Sequence, residues 1–348
     1  MNPLILSTFL LSLGLGTTLT FASSHWLLAW MGLEISTLAI IPLMAQHHHP
    51  RAAEATTKYF VIQAAAAALI LFASTTNAWI TGQWDISFDL HTFPATMLTM
   101  ALALKMGLAP VHFWLPEVLQ GLDLTTGLIL STWQKLAPFI LICQIMPTSP
   151  NLITLLGILS TLVGGWGGLN QTQLRKILAY SSIAHFGWII MVMQFNQNLA
   201  ILALAIYIPM TFSTFMIFKM NNATTINTLA TSWAKTPTIA AIAPMIMLSL
   251  AGLPPLSGFM PKWMILKELT NQDLPLTASI MALSALISLY FYLRLSYAVA
   301  LTISPNNLNA TTPWRLRTTT AILPLAASTT ISILFLPLTP TALTLFYI

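Results

Sequence analysis

The sequence predicts an all-α polytopic membrane protein of about eleven transmembrane helices, in two inverted five-helix repeats with broken fourth helices, plus one C-terminal helix. Three observations carry this. First, the 348 residues are 56% hydrophobic and 6% charged, whereas a soluble chain carries about 25% charged residues. Water does not solvate such a surface, so lipid must. Second, the apolar stretches run to about 20 residues, the length that crosses a bilayer as a helix. They are apolar all round, unlike the ten-residue alternating segments of a β-barrel. Third, a ten-residue pattern occurs twice. Gly107-Leu108-Ala109-Pro110-Val111-His112-Phe113-Trp114-Leu115-Pro116 aligns without a gap on Gly252-Leu253-Pro254-Pro255-Leu256-Ser257-Gly258-Phe259-Met260-Pro261. Each copy interrupts an apolar segment. Such breaks in both halves of a chain mark a transporter with discontinuous helices.

The expected spans follow in order. The first, 3–22, enters apolar sequence directly after Met1-Asn2 with no Lys or Arg, so it reads as a retained helix. The second, 25–45, carries Glu34 and ends before His47-His48-His49. The third, 57–80, follows Arg51 and Lys58, and Trp79 stands at its far end. The fourth, 93–116, holds Lys105 and the first break. Glu117 and Asp123 then bracket a short loop where both are expected to be solvated, with Glu117 able to collect or release protons. The fifth, 124–146, holds Lys135. The sixth, 151–169, the seventh, 173–194, and the eighth, 198–219, complete the middle of the chain, and the seventh carries Ser181, Ser182 and His185. The ninth, 237–271, contains the second break with Gly252, Pro254, Pro255, Gly258, Pro261 and then Lys262. The tenth, 275–302, holds Arg294, expected to snorkel. A polar connector, 303–317, precedes the eleventh, 318–340. Trp26, Trp30, Trp79 and Trp84 near span ends are expected in aromatic belts.

Loop charges support the count. With eleven spans, the side holding the N-terminus receives Arg51, Lys58, Arg175, Lys176, Lys219, Lys235, Arg315 and Arg317, and the opposite side only Lys267. That asymmetry is what the positive-inside rule produces. Five helices per repeat is odd, so the second repeat enters from the opposite side. The repeats occupy 1–147 and 148–303, and 304–348 is an added C-terminal segment within one membrane domain.

Several classes drop out. Cys143 is the single cysteine, which rules out an intrachain disulfide or a cysteine cluster for zinc or iron–sulfur. The net charge of +5 is not gathered into a basic run, so nucleic acid is not an expected partner. No phosphate loop, dinucleotide fingerprint or catalytic triad motif occurs. His47, His48 and His49 are adjacent loop residues that cannot all converge on one ion, so no metal is expected.

The chemistry lies in ionisable groups inside the spans. Glu34, Lys105 and Lys135 each stand about nine to twelve residues into a span, near the bilayer midplane at 1.5 Å rise per residue. Each charge there costs about 2.5–3.5 kcal/mol. Groups so expensive persist when they pair, reach water or act. Lys105 adjoins the first break, where unpaired carbonyls and water gather, and is the natural partner for Glu34. His112 lies inside the first break. His185 is mid-span below a run of hydroxyls, and histidine passes protons near neutral pH. Lys262 follows the second break. The candidate proton-relay groups are therefore Glu34, Lys105, Lys135, His185 and Lys262, with a satisfied core residue as the alternative for His185 and snorkelling as the alternative for Lys262; His112 and Glu117 are candidates for relay or access.

Leu104-Lys105-Met106-Gly107, followed by Pro110-Val111-His112-Phe113-Trp114-Leu115-Pro116-Glu117, resembles the antiporter-like subunits of respiratory complex I. Leu253-Pro254-Pro255-Leu256-Ser257-Gly258-Phe259 with Pro261-Lys262 is similar to the second broken helix of that family, and Ser181-Ser182-Ile183-Ala184-His185 to its Ser-Ser-Ile-x-His stretch. The resemblance covers the whole chain. It implies that Glu34 pairs with Lys105, that Lys135 and His185 continue a hydrated axis, and that Lys262 is the terminal lysine near the exit. It implies proton pumping driven by quinone reduction elsewhere in an NADH:ubiquinone reductase, with no redox chemistry in this chain. FMN, iron–sulfur clusters, NADH and ubiquinone then belong to other subunits. Phospholipids such as cardiolipin are candidate ligands of the lipid face. The expected partners are other membrane-arm subunits, including antiporter-like and small ones. The expected place is the mitochondrial inner membrane, with the N-terminus in the matrix and the C-terminus in the intermembrane space. The rival readings are a stand-alone cation/proton antiporter and a structural subunit that no longer pumps.

Overall fold

Prolines open the helices of this chain and glycines close several of them. Pro3, Pro50, Pro237 and Pro275 stand at helix starts, where a missing N–H costs nothing. The Asn2 side chain accepts from Leu4 N (3.3 Å) and the His49 ring from Arg51 N (3.2 Å), satisfying first-turn donors. Gly82, Gly107 and Gly252 end their helices at φ 73°, 77° and 83°, the left-handed region that favours glycine. The structure, a computed structural model, describes residues 2–46, 49–86, 90–145, 150–234, 236–302, 322–341 and 344. His47, His48, Lys235, Arg315, Arg317 and the 303–317 connector lie outside the described residues.

All named elements are helical. Two compact units form, Met1–Ser160 and Thr161–Ile348. In the first lie α1 (Pro3–Ala22), α2 (Trp26–Met44), α3 (Pro50–Thr81), α4 (Thr92–Met106), α5 (Trp114–Gly121), α6 (Leu124–Ser131), a 3₁₀ turn (Trp133–Lys135) and α7 (Leu136–Gln144). The seam falls within α8 (Pro150–Gly168). The second unit holds α9 (Leu174–Met193), α10 (Gln197–Met220), α11 (Ile226–Ala230), α12 (Pro237–Ala251), α13 (Phe259–Asn271), α14 (Pro275–Ala300) and α15 (Ile322–Leu334). Among the described residues, eight helical segments are long and apolar enough to cross a membrane.

Small residues set the helix spacing. Gly16 on α1 faces Gly32 on α2 so closely that a Cβ at either would lie 2.8 Å from the other's carbonyl oxygen. Such approach is how helices pack where lipid removes the hydrophobic drive, and it places Glu34 one half-turn beyond the contact. The Trp30 indole donates to Ala67 O (3.1 Å), tying α2 to α3. In the second unit, a Cβ on Gly164 of α8 would meet the backbone nitrogen of Ala184 on α9 at 2.6 Å.

Among the described residues, each unit also carries one isolated antiparallel bridge between loops. In the first, Trp26 N donates to Trp84 O (3.0 Å) and Ile86 N to Ser24 O (2.9 Å), pairing His25 with Asp85. In the second, Leu174 N donates to Thr224 O (3.0 Å) and Ile226 N to Thr172 O (3.2 Å), pairing Gln173 with Thr225. In both, the loop before one helix is stitched to the loop after the next, with the same bond pattern.

Several expectations shift in detail. The third apolar segment begins at Pro50, so Lys58 is helical rather than a loop residue. At 1.5 Å per residue, its 32 residues reach about 48 Å, beyond a ~30 Å hydrocarbon core. The fifth segment is not continuous. It kinks at Trp133–Lys135, because Pro138 has no N–H for the Gln134 carbonyl four residues back. Of the expected segment 318–340, residues 318–321 lie outside the described residues, α15 covers Ile322–Leu334, and a 3₁₀ turn, Leu336–Leu338, follows it. Trp26 is 1% exposed and belongs to the interior, whereas Trp79 is 90% exposed as a lipid-facing ring would be.

Candidate functional site

The two breaks share one backbone device. At the end of α4, Gly107 N donates to Leu104 O (3.1 Å) and Leu108 N to Ala103 O (3.0 Å). At the end of α12, Gly252 N donates to Ser249 O (2.9 Å) and Leu253 N to Leu248 O (3.3 Å). Both are Schellman caps, which need a left-handed residue at that position. A short irregular stretch follows, and α5 or α13 resumes with Pro116 or Pro261 as its third residue, where no N–H is required. Pro110, Pro254 and Pro255 are exposed in the irregular stretches, and Gly258 is buried.

What satisfies the freed carbonyls differs between the breaks. The Trp114 indole donates to Leu104 O (3.1 Å) in the first. In the second, the Lys262 ammonium donates to Ala251 O (2.8 Å) and reaches Leu250 O (3.5 Å). Lys262 thus sits at the negative end of the α12 dipole. The sequence alignment contains this asymmetry, since Lys262 falls opposite Glu117 and Lys105 opposite Leu250.

In the first unit, Lys105 and Lys135 line one cavity with Leu33, Ser36, Thr37, Tyr59, Gln63, Trp114, Leu130, Gln134 and Pro138. Its central free space is about 10 Å³, the minimum for one water. Lys105 is 5% exposed and its Nζ has no hydrogen-bond partner. Lys135 is 2% exposed, set on the 3₁₀ turn that interrupts the fifth segment. The neighbouring Gln134 amide is pinned by donation to Ser36 O (2.9 Å). Glu34 does not bond Lys105, whose Nζ has no hydrogen-bond partner. Its Oε2 instead accepts from Thr37 Oγ1 (3.1 Å), one turn along α2.

In the second unit, His185 and Lys262 line another cavity with Trp188, Ile189, Ala203, Tyr207, Met210, Gly258, Pro261 and Ile265, with about 20 Å³ free. The Tyr292 hydroxyl lies 3.4 Å from His185 Nε2, and the Tyr207 ring packs 5.5 Å from the imidazole. In the hydroxyl run before His185, Ser181 Oγ donates to Leu178 O (2.8 Å) and Ser182 Oγ to Ala179 O (2.8 Å), each one turn back on α9. Tyr207 and Tyr292, both 1% exposed, escaped the sequence reading. Their signal was only a polar atom on an otherwise apolar helix. Ser257 Oγ donates to Ser332 O (2.5 Å), anchoring the second break to α15.

His112 is 4% exposed with Nδ1 3.3 Å from Pro110 O, and it lines neither cavity. Glu117 is exposed but not free, because Lys58 Nζ lies 2.9 Å from its Oε2 and 2.8 Å from Glu54. Arg294 donates to Leu169 O (2.9 Å) just past the end of α8.

A sequence profile described as NADH:quinone oxidoreductase/Mrp antiporter, transmembrane, matches residues 23–288. The chain belongs to that family. A second profile, NADH dehydrogenase subunit 2 C-terminus, matches residues 289–343. The chain is 84% identical over 345 residues to NADH-ubiquinone oxidoreductase chain 2 of Gadus morhua, covering 99% of each. It is 66% identical to the same-named protein of Salmo salar, again over 99% of each. Among solved structures, a chain of respiratory complex I from Thermus thermophilus superposes with a TM-score of 0.86 at 27% identity, over 98% of this chain and 79% of that one. A chain of the Mrp complex from Dietzia shares the fold, with a TM-score of 0.80 at 16% identity, over 96% of this chain and 75% of that one.

Proposed function

We propose that this chain is a proton-translocating subunit of the membrane arm of respiratory complex I. The observation that carries the reading is that two buried cavities each bring together two groups able to exchange a proton, Lys105 with Lys135 and His185 with Lys262. Four such groups in apolar surroundings are costly to insert, and a scaffold gains nothing from them. Quinone reduction elsewhere in the assembly changes the charge felt at Glu34. Weaker attraction from Glu34 lets Lys105 release its proton, which passes by way of Lys135 and His185 to Lys262. Glu117 and His112 serve access to this path.

The reading includes eleven spans in two inverted five-helix repeats and a C-terminal helix. The paired Schellman caps, the paired loop bridges and the loop charges support it. It places the chain in the mitochondrial inner membrane, N-terminus in the matrix and C-terminus in the intermembrane space, among other membrane-arm subunits that hold or reach FMN, iron–sulfur clusters, NADH and ubiquinone. The test is Glu34→Ala and Lys105→Ala in the assembled complex. Coupled quinone reduction and proton uptake are expected to fall while the complex still assembles. Unchanged pumping rate and stoichiometry in both variants would remove the relay.

A further inference from the structure

Gln63, on α3, is 3% exposed, and its Nε2 has no hydrogen-bond partner. Lys105 Nζ is likewise buried and unpartnered. Both side chains line the cavity that holds Lys135. Two buried donors therefore border one space, and a buried donor left unsatisfied is unfavourable. The space of about 10 Å³ fits one water. Gln134 also borders it, and donation to Ser36 O leaves its Oε1 as an acceptor. A water accepting from Gln63 and Lys105 keeps both its hydrogens to give onward.

We propose that Gln63 is a positioning residue for proton transfer. Its amide holds one water between Lys105 and Lys135, and the proton crosses through that water. The inference rests on the relay reading of the same cavity. The residue type fits the task. An amide offers a donor and an acceptor and stays neutral, so it holds the water whether Lys105 is protonated or not. A carboxylate at this place would fix the lysine as a cation.

The test uses Gln63→Met in the whole complex, since methionine keeps the unbranched length without a donor. Coupled turnover per assembled complex is expected to fall about three- to tenfold, the effect of one lost hydrogen bond. The KM values for NADH and quinone should stay constant, and the H₂O/D₂O rate ratio should rise. Unchanged turnover and isotope ratio overturn the proposal. Lys105→Ala measured alongside separates two failures: if it impairs pumping while Gln63→Met does not, only the role of Gln63 falls. Should Gln63→Met not assemble, a high-resolution map of the unmodified complex decides. A water within hydrogen-bond distance of Gln63 and Lys105 supports the proposal, and a dry cavity overturns it.

Discussion

Gly107 and Gly252 close their helices in the same way, yet alanine at the two positions should have unequal consequences. Both substitutions force a left-handed backbone on an L-residue, a cost of about 1–2 kcal/mol. At Gly107 the new Cβ meets Leu115 Cδ1 at 2.8 Å, the end of a side chain that can turn away. At Gly252 it meets Lys262 Cδ at 2.9 Å and Nζ at 3.1 Å. The lysine must move, and it then loses its bond to Ala251 O. A hydrogen bond with one charged partner contributes about 1.5–3 kcal/mol. If Lys262 is the terminal proton station, that loss corresponds to about a tenfold to hundredfold drop in rate. The assay is proton uptake coupled to quinone reduction by complex in proteoliposomes, normalised to assembled protein. Gly252→Ala should lose far more than Gly107→Ala. Equal losses would show that only backbone strain matters, and would refute a working role for the seated ammonium.

Lys105→Met should raise or preserve the thermal midpoint of the assembled complex while impairing pumping, because it replaces a buried ionisable group that bonds no other group of the chain with an apolar one of similar length; a clear fall in the midpoint would contradict this. Tyr292→Phe removes the hydroxyl 3.4 Å from His185 Nε2 and should slow coupled turnover by no more than about tenfold, with assembly intact. Lys58→Ala breaks an exposed pair with Glu117, which contributes little in water, and leaves the Glu117 carboxylate in place. Steady-state turnover at physiological ionic strength should change less than about twofold, and a larger loss would assign Lys58 itself a part in proton access.

Much of this architecture was legible in the residues. Apolar length gave the helices, and the repeated Gly-Leu-x-Pro gave both interruptions, because a Schellman cap needs glycine and proline cannot continue a helix. The depth of Lys105 and Lys135 in their segments marked them as buried. What could not be read was partnership. Nothing in sequence spacing says that Lys105 and Lys135 share a cavity, that Gln63 faces it from α3, or that Glu34 bonds Thr37 before it bonds a lysine. Those depend on how helices rotate about their axes, and helices that are apolar all round carry no periodic signal of rotation. The kink at Lys135 was within reach, since Pro138 stands one turn beyond it. The bridge between Gln173 and Thr225 was not, because backbone pairing between loops leaves no trace in side-chain type.

The place that Lys262 occupies has a consequence for what this half of the chain can carry. In transporters with interrupted helices, carbonyls at the end of a half-helix receive the travelling metal cation. Here the carbonyls of Leu250 and Ala251 receive an ammonium that is covalently part of the protein. Such a cation cannot leave; it can only give up a proton and take another. Under the relay proposed above, a bound ion on a leash turns a seat for alkali metals into one for hydrogen ions alone, with selectivity that comes from a chemical bond instead of from the size of a filter.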